Sequence, residues 1–471
     1  MRLSSLTILT LVSCLILCVA FKKSGNKVFD KIDQYLNDME DAGNSGQVLV
    51  AMDGEVYKRG FGKADKEKDI PFTPQTITGT GSITKQFTGA AILKLEMQGK
   101  LKTNDLLTKY FKNVPEDKKS ITLHHLLTHS AGFPGAIGDD YAAISSQEFM
   151  DLAMGSPLLF QPGIGYEYSN VGYSILAILV EQLSGMTYEQ YLNKELFLPA
   201  GMEQTGYIIP EWPEDQLAVG YKNGKLWGKL NEKNWGEEGP YWHLKGNGGV
   251  LSNSEEMYKW HQALVGDKIL SDAAKEKYYG KHVREGEGAN SHYGYGWAII
   301  PTPRGTDLIT HNGGNGIFMA DFLRYPKEDV TIWFATNGVN RSNRNTGGEI
   351  ARMVFQPEYQ ARVKVTNGVE PLTKEEEKVK NALLAMLNSD DDQSIKDFVR
   401  AQFSPGMIDM APMEEHLNIL GGIRKELSGF SSDSSKKLGD DVILTFSNKD
   451  YSVDVVVNVE NGKIVGMGVD N

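Results

Sequence analysis

The spacing of apolar residues divides the chain into a helix and hairpin, a helical middle and a strand-rich later part. The first stretch predicts a helix, because its apolar residues recur at three- and four-residue intervals: Val28, Ile32, Tyr35, Leu36 and Met39. Two strand-like runs follow at 47–52 and 55–61, with the hairpin dipeptide Asp53-Gly54 between them. From about 82 to 270 the pattern is mostly helical, with glycine-rich interruptions. Strand character then returns in four runs, at 294–300, 308–310, 318–324 and 330–336.

This order of elements predicts an α+β fold rather than a doubly wound parallel sheet. Strand-like runs lie at both ends of the region 27–358, and the helical middle separates them. A parallel sheet would alternate strand and helix throughout. We therefore expect one antiparallel sheet that is completed by segments from both ends, is flanked by helices and carries a large helical insert.

The chain changes character after about residue 360. A charged helical stretch runs from Thr373 through Leu387, and the polar break Ser389–Asp392 follows it. The chain ends in strand-like runs at 442–446, 453–459 and 464–469, with Asn461-Gly462 as a hairpin turn. We interpret residues 372–471 as a separate small α+β domain of unknown role, without a catalytic constellation.

Residues 1–21 form a long apolar run that predicts export. Arg2 opens the run, and the small-residue triplet Cys18-Val19-Ala20 is a candidate cleavage site. The stretch Leu11–Cys14 also resembles a bacterial lipobox, and the lysines just after the run are compatible with an uncleaved anchor. We expect a protein of the bacterial periplasm or envelope, or a secreted one, with membrane contact only through this segment.

Composition and charge narrow the function without identifying it. A chain of 471 residues is long enough for two or three domains, and 40% hydrophobic content is typical of a globular protein. The net charge of −12 argues against a nucleic-acid partner. Both cysteines, Cys14 and Cys18, lie in the apolar run, so a chain cleaved after Ala20 has no thiol for a disulfide or for catalysis.

Ser82-Ile83-Thr84-Lys85 is the first candidate for chemistry. If a helix begins here, Lys85 points back toward Ser82, because residues three apart share a helix face. A buried lysine with a lowered pKa can take the proton of a serine nucleophile, and free N–H groups at the helix start suit an oxyanion. The apolar positions that follow predict a buried helix ending near Gly99. The alternative is a serine N-cap with a solvated lysine, and the same spacing recurs at Ser24–Lys27 and in a serine-lysine loop at Ser434–Lys437.

Two later motifs can complete such a site. Tyr168-Ser169-Asn170 precedes an apolar helical stretch, so Tyr168 can shuttle a proton and Asn170 can bond a substrate amide. His311-Asn312-Gly313-Gly314 lies between strand-like runs, and Gly314 can offer a second N–H to an oxyanion. Each motif alone has a plain alternative, a turn tyrosine in the first and a hairpin turn with an incidental histidine in the second.

Together these motifs resemble the serine β-lactamase and penicillin-binding superfamily, and in particular its class C β-lactamase-related branch. The resemblance covers about residues 27–355. It extends to further segments in the same order: Leu126–Phe133, Phe160–Gly163, Pro199–Met202, Gly248–Ser252 and Tyr293–Trp297. It implies the β-lactamase/transpeptidase-like fold, with a large helical subdomain beside the sheet.

The resemblance also implies roles for individual residues. Ser82 would be the acylated nucleophile, with Lys85 and Tyr168 as the proton-transfer pair. Asn170, His311, Gly313 and Gly314 would contact substrate, and the N–H groups of Ser82 and Gly314 would form the oxyanion hole. No metal or organic cofactor is implied.

The third motif departs from the pattern of penicillin-directed members. Those members usually have Lys-Thr-Gly or Lys-Ser-Gly where this chain has His311-Asn312-Gly313. A lysine there helps to recognise a carboxylate, whereas a histidine with an ordinary pKa of about 6.5 supplies little charge at neutral pH. We therefore expect an esterase or a D-amino-acid peptidase-like enzyme acting on small esters, peptides or amides. A penicillin-binding DD-peptidase, a β-lactamase or a non-turnover binding protein of the same fold is the alternative.

Other chemistry finds less support in the sequence. His124, His125 and His129 are close together, but a packed or capping role is expected for them rather than metal binding. The sequence contains neither a phosphate-binding Gly-x-x-x-x-Gly-Lys loop nor the Gly-x-Ser-x-Gly elbow of α/β-hydrolases. The oligomeric state is not predicted.

Overall fold

The computed structural model describes residues 26–286, 288–340, 342–363, 371–409, 411–438, 441–448 and 452–470. The predicted export segment 1–21 and its two cysteines lie outside the described residues. So does Ser24, which stands three residues before Lys27 in the same spacing as Ser82 and Lys85. No helix within the described ranges is both long enough and apolar enough to span a membrane.

Helices and strands occupy most of the described chain. The helices are α1 Lys27–Asp41, α2 Thr84–Met97, α3 Leu123–Leu127, α4 Ser146–Gly155, α5 Asn170–Ser184, α6 Tyr188–Leu192, α7 Leu198–Ala200, α8 Ser254–Val265, α9 Asp272–Tyr278, α10 Thr346–Phe355, α11 Lys374–Leu387, α12 Asp392–Gln402, α13 Pro405–Asp409 and α14 Met413–Glu426. The strands are β1 Gly46–Met52, β2 Glu55–Phe61, β3 Lys63–Asp65, β4 Ile70–Pro71, β5 Thr78–Gly79, β6 Gly220–Lys222, β7 Lys225–Gly228, β8 Leu251–Ser252, β9 Val283–Arg284, β10 His292–Tyr293, β11 Ala298–Pro301, β12 Asp307–Gly314, β13 Met319–Tyr325, β14 Val330–Thr336, β15 Ser431–Leu438, β16 Asp441–Ser447, β17 Ser452–Glu460 and β18 Lys463–Asp470.

The main sheet joins strands from both ends of the first 360 residues. Its order is β2-β1-β14-β13-β12-β11-β10-β9, and every neighbouring pair is antiparallel. The early strand β1 pairs with the late strand β14, so that Gly46 lies opposite Thr336. The predicted α+β class is therefore confirmed, with the sheet completed from both ends and the helical segments inserted between.

The two faces of this sheet pack against different helices. Because successive side chains of a strand point to opposite faces, Val48 and Val50 join the core under α1 and α10. Leu49 and Ala51 face the larger core, which includes α2 and α5. Both faces of the central strands are thus covered, and β14 is buried along its whole length.

Helix α2 runs through the middle of the larger core. All its residues except Lys94, Glu96 and Met97 are buried, so it is not an amphipathic surface helix. The α-helix begins at Thr84, after a 3₁₀ turn over Gly81–Ile83. Ser82 therefore lies in that turn rather than in the first turn of an α-helix, and α2 ends at Met97, two residues before Gly99.

The predicted strand 294–300 was wrong in its first half. Strand β11 begins only at Ala298, and before it Gly294 donates its N–H to the carbonyl of Trp297 in a turn. Gly296 has a φ of +86° and lies so close to Lys85 that a Cβ there would meet the Lys85 carbonyl oxygen at 2.5 Å. The close approach to α2 therefore fixes a bend here.

The last hundred residues form helices α11–α14 and a second antiparallel sheet in the order β15-β16-β17-β18. Among the described residues, the buried apolar cluster of this region draws only on residues between Val379 and Ile464. Ser434, predicted to lie in a loop, is instead in β15, where it pairs with Thr445. The sequence pattern did not predict β15, because this edge strand is rich in serine and lysine and shows little apolar alternation. The boundary at 372 stays a prediction.

Candidate active site

The turn that holds Ser82 is pressed against strand β12. Gly81 has a φ of +53°, and a Cβ on it would lie 2.3 Å from the backbone N of Gly314. A Cβ on Gly313 would lie 2.0 Å from the carbonyl oxygen of Thr80. Only glycine fits at both positions, so the two glycines let backbone touch backbone. The contact brings Ser82 and Gly314 to the wall of one cleft.

Lys85 lies directly beneath the Ser82 hydroxyl. Its Nζ is 3.3 Å from Ser82 Oγ, 2.7 Å from Asn170 Oδ1 and 2.8 Å from the carbonyl oxygen of Asn247. The side chain is fully buried, and this burial lowers the pKa of Lys85 well below its usual value, with the negative charge of Asp140 working in the opposite direction. A lysine so placed can hold its amine unprotonated and accept the proton of Ser82.

Tyr168 and Asn170 approach from the start of α5. The ring of Tyr168 lies 4.6 Å from the Nζ of Lys85. Burial raises the pKa of Tyr168 far above its ordinary value, and an interaction with the Ser82 hydroxyl opposes that rise. The phenol therefore keeps its proton. The side-chain oxygen of Asn170 accepts a hydrogen bond from Lys85. The NH₂ group of Asn170 is therefore the part that can face a substrate.

His311 lies within β12 and not in a connection between strands. Its side chain is buried, Nε2 is 2.8 Å from the hydroxyl of Tyr293, and Nδ1 is 2.5 Å from the carbonyl oxygen of Asn312. A carbonyl only accepts, so Nδ1 carries the proton and Nε2 accepts from the tyrosine. Burial and then the nearby Lys85 lower the pKa of His311 to about 3, although the hydrogen bond to Asn312 opposes them, so the ring is neutral at pH 7.

The predicted site residues do not all face the same space. The cleft beside Ser82 is lined by Gly79, Gly81, Ser82, Asp140, Tyr141, Asn170, Leu230, Leu244, Asn247, Gly248, Gly249, Gly314, Asn315 and Phe318. Tyr168 and His311 border a second recess with Glu285, Tyr293 and Asp321, and Tyr168 also interacts with the Ser82 hydroxyl of the first. Gly313 packs against Thr80 and Ser82 rather than lining either space. Its role and that of His311 in binding substrate stay predictions.

Two residues of the site escaped the sequence reasoning. Asn247 accepts a hydrogen bond from Lys85 through its carbonyl, while its side-chain NH₂ donates to Ser174 Oγ at 2.9 Å and to the His243 carbonyl at 2.8 Å. The glycines around it in 246–249 were the one available hint. Asp140 lies in an irregular loop, where nothing in the sequence distinguishes it from Asp139.

His129 supports Tyr168 from behind. Its Nδ1 accepts the N–H of Ser169 at 3.0 Å, and its ring lies 4.3 Å from the Tyr168 ring. Burial is the main cause that lowers the pKa of His129 well below its ordinary value, so this ring is also neutral. His125 caps α3 by accepting the N–H of Thr122, and His124 contacts the hydroxyl of Tyr295. All three histidines thus have packing or capping contacts.

The chain matches known proteins over the region that builds this site. A family model described as Beta-lactamase matches residues 32–352. Penicillin-binding protein 4* of Bacillus subtilis is 30% identical over 313 residues, which is 62% of this chain and 68% of that protein. The putative penicillin-binding protein PbpX of the same organism is 32% identical over 335 residues, or 70% of this chain and 79% of the relative.

Solved structures give the same fold. The octameric penicillin-binding protein homologue from Pyrococcus abyssi has a TM-score of 0.62 at 22% identity, over 92% of this chain and 94% of that one. The D-amino acid amidase from Ochrobactrum anthropi SV3, complexed with L-phenylalanine amide, has a TM-score of 0.58 at 22% identity, over 70% of this chain and 96% of that one.

Proposed function

Because the chain belongs to the β-lactamase family, whose members are of the serine hydrolase type, we propose that it hydrolyses small esters, peptides or amides through an acyl-enzyme at Ser82. The observation that supports this most is the buried Lys85, whose amine lies 3.3 Å from the Ser82 hydroxyl. A fully buried lysine is usually paired with a carboxylate. Lys85 instead contacts a hydroxyl, an amide oxygen and a carbonyl.

In this proposal Lys85, with its lowered pKa, acts as the base, and Tyr168, with its raised pKa, acts as the acid. Neutral Lys85 takes the proton as Ser82 Oγ attacks the carbonyl carbon. The N–H groups of Ser82 and Gly314 bind the oxyanion that forms. Tyr168, which keeps its own proton, donates it to the leaving group and regains one from Lys85. A water molecule then attacks the acyl-enzyme. Lys85, neutral again, takes a proton from that water and returns it to Ser82 Oγ as the acyl–oxygen bond breaks and the acid is released.

The neutral His311 supports substrates without an essential carboxylate. Its two nitrogens are occupied by Tyr293 and Asn312, and its ring is buried beside Tyr168. It therefore supplies no positive charge to an anionic substrate. Esterase or D-amino-acid peptidase-like activity follows more naturally from this than efficient hydrolysis of penicillins.

A DD-peptidase that binds penicillin is the second candidate, because two relatives are described as penicillin-binding proteins. Asn170 still has an NH₂ group that could meet the amide of such a substrate. Acylation by penicillin with slow release would favour this candidate over the esterase.

A labelling experiment tests the proposal. The purified protein is treated with a fluorophosphonate and with a fluorescent penicillin, and p-nitrophenyl acetate turnover is measured. We expect fluorophosphonate labelling and ester turnover in the wild type and in Ser434→Ala, and neither in Ser82→Ala. Ser434 is the matched control, because it stands in the same Ser-x-x-Lys spacing on an exposed strand. Equal turnover by wild type and Ser82→Ala would refute the hydrolase, and labelling without turnover would indicate a binding protein.

We also propose export through residues 1–21, on the strength of their apolar run. Mass spectrometry of the protein from cell fractions tests this. Loss of about twenty residues supports a cleaved signal, an added lipid mass supports the lipobox, and an intact soluble chain inside the cell contradicts export.

A further inference from the structure

Asp140 is the one charged residue among the described residues that line the Ser82 cleft. The other lining side chains are amides, hydroxyls, glycines and an apolar group made of Tyr141, Leu230, Leu244 and Phe318. Lys85 lies beneath this lining with a lowered pKa, so it does not supply a compensating positive charge when its amine is neutral. The cleft therefore presents one negative charge on a wall that is partly polar and partly apolar.

The backbone on both sides of Asp140 is anchored to the site. The carbonyl of Gly135 accepts the N–H of Asn170 at 2.8 Å. Tyr141 accepts two hydrogen bonds, from Asn234 to its carbonyl at 2.8 Å and from Asn315 to its hydroxyl at 3.2 Å. These contacts tie the loop to α5 and to the turn after β12. The loop that carries Asp140 is thus anchored beside the cleft on both sides of this residue.

The carboxylate of Asp140 makes no hydrogen bond or ion pair within the described residues. Its neighbour Asp139 shows the contrast, because Asp139 Oδ1 accepts the N–H of Tyr141 at 2.9 Å. Burial and the charge of Asp139 raise the pKa of Asp140, while Lys85 and His243 oppose that rise. A half-buried carboxylate without a partner gains most from a cation that brings N–H donors of its own.

We propose that Asp140 selects acyl donors with a free ammonium group near the scissile carbonyl, such as aminoacyl amides and esters and peptides with a free N-terminus. This inference rests on the proposed acyl-enzyme at Ser82. The apolar residues Tyr141, Leu230, Leu244 and Phe318 would hold the side chain of the aminoacyl group. A substrate with a carboxylate in the same place would be repelled.

The test uses alanine p-nitroanilide in D and L forms, each as the free amine, the N-acetyl and the N-succinyl derivative. At pH 7 the free amine is mostly protonated, because an α-amino group has a pKa of about 7.7–8.0. For at least one enantiomer we expect kcat/KM to fall at least about tenfold from free amine to N-acetyl, and to fall further for N-succinyl. Asp140→Asn should bring the ratio of free amine to N-acetyl close to one.

The control is Asp139→Asn, which removes the same charge from a side chain that does not line the cleft. It should keep the wild-type ratio. A wild-type ratio of one or below overturns the inference, and so does an Asp140→Asn variant that loses both substrates equally. If none of the anilides is cleaved while Ser82 is labelled and p-nitrophenyl acetate is hydrolysed, the ammonium selection is wrong and the hydrolase stands. Absence of labelling and of ester turnover refutes the hydrolase itself.

Discussion

The hydroxyl of Tyr293 donates a 2.8 Å hydrogen bond to Nε2 of His311. With Nδ1–H given to the carbonyl of Asn312, both nitrogens of the ring are engaged and its tautomer is fixed. The position where penicillin-directed relatives usually have a lysine is therefore filled by a neutral ring that is held in place from two sides.

Removal of that donor should cost stability. In Tyr293→Phe the buried Nε2 of His311 loses its partner, so the free energy of unfolding in urea should fall by roughly 1–3 kcal/mol. The ¹⁵N chemical shift of His311 Nε2 should change as well. Tyr168→Phe is the control for the NMR measurement, because its ring is near His311 but makes no hydrogen bond to it. An unchanged Nε2 shift in Tyr293→Phe would contradict the assignment.

Lys85→Met should lower kcat/KM for p-nitrophenyl acetate by about 10²- to 10⁴-fold, because Ser82 loses its base. Lys94→Met, on the partly exposed side of α2 and bonded to the Ile269 carbonyl, should leave it near the wild-type value. The pH dependence of wild-type activity should also show that the pKa of Lys85 is lowered. Activity needs the neutral amine, which exists above the lowered pKa of Lys85, so activity should fall as pH drops through a value well below 10.5. A limb near 10.5 would show that Lys85 is not the base.

Tyr168→Phe should keep the fold and lose the chemistry. The ring still packs against His129 and under Lys85, while the proton donor is gone. We expect a fall in kcat/KM of about 10²- to 10⁴-fold with an unchanged melting temperature. Tyr166→Phe is the matched control, because its hydroxyl reaches Glu285 at 3.3 Å and not Ser82. Full activity in Tyr168→Phe would show that Tyr168 is not the proton donor.

Acidification should destabilise the protein in part through His261. Burial, and then the charge of Arg324, together lower its pKa from 6.5 to about 3. Between these values the unfolded chain binds a proton that the folded chain does not, so stability is lost as pH falls below 6.5. One such group contributes about 1.4 kcal/mol per pH unit. Urea unfolding of His261→Asn between pH 6.5 and 4.5 should show a correspondingly smaller decline than the wild type.

Gly313→Ala tests the contact between β12 and the Ser82 turn. The new Cβ would lie 2.0 Å from the Thr80 carbonyl oxygen and 2.6 Å from the Ser82 N, so one backbone must move. We expect a loss of roughly 1–3 kcal/mol in stability and a larger proportional loss of labelling at Ser82. Gly155→Ala, where nothing lies within 4 Å of the new Cβ, should change neither. Normal labelling in Gly313→Ala would show that the contact does not position Ser82.

The sequence predicted helices, strands and turns well where the spacing of apolar residues and the residue types of the turns pointed to the same structure. Strand β14 has the predicted bounds of 330–336, and Asn461-Gly462 does form a turn with both φ angles positive. The pattern failed at 294–297, where contact with α2 bends the chain, and at β15, an edge strand of polar residues. These outcomes depend on neighbours that are distant in sequence, which a local pattern does not contain.

The candidate site followed the same rule. The motifs predicted Ser82, Lys85 and Asn170, and the structure brings these three side chains together, because Lys85 follows Ser82 by one turn and Asn170 begins α5. Asn247 and Asp140 lie on loops, and their importance comes from the side chains that they meet in space. For His311 the sequence suggested low charge from the residue type, and the burial that lowers its pKa to about 3 required the structure.

Because β1 pairs with β14, the main sheet can be completed only late in synthesis. Gly46 meets Thr336 only after 290 further residues have been synthesised. At about 5–20 residues per second, that takes roughly 15–60 s. Until then β1 lacks its partner on one side, and β12 has no completed sheet to hold it against the Ser82 turn. A nascent chain that has not reached β14 therefore cannot complete the main sheet, and the Ser82 turn gains its full support from β12 only after Thr336 has been added.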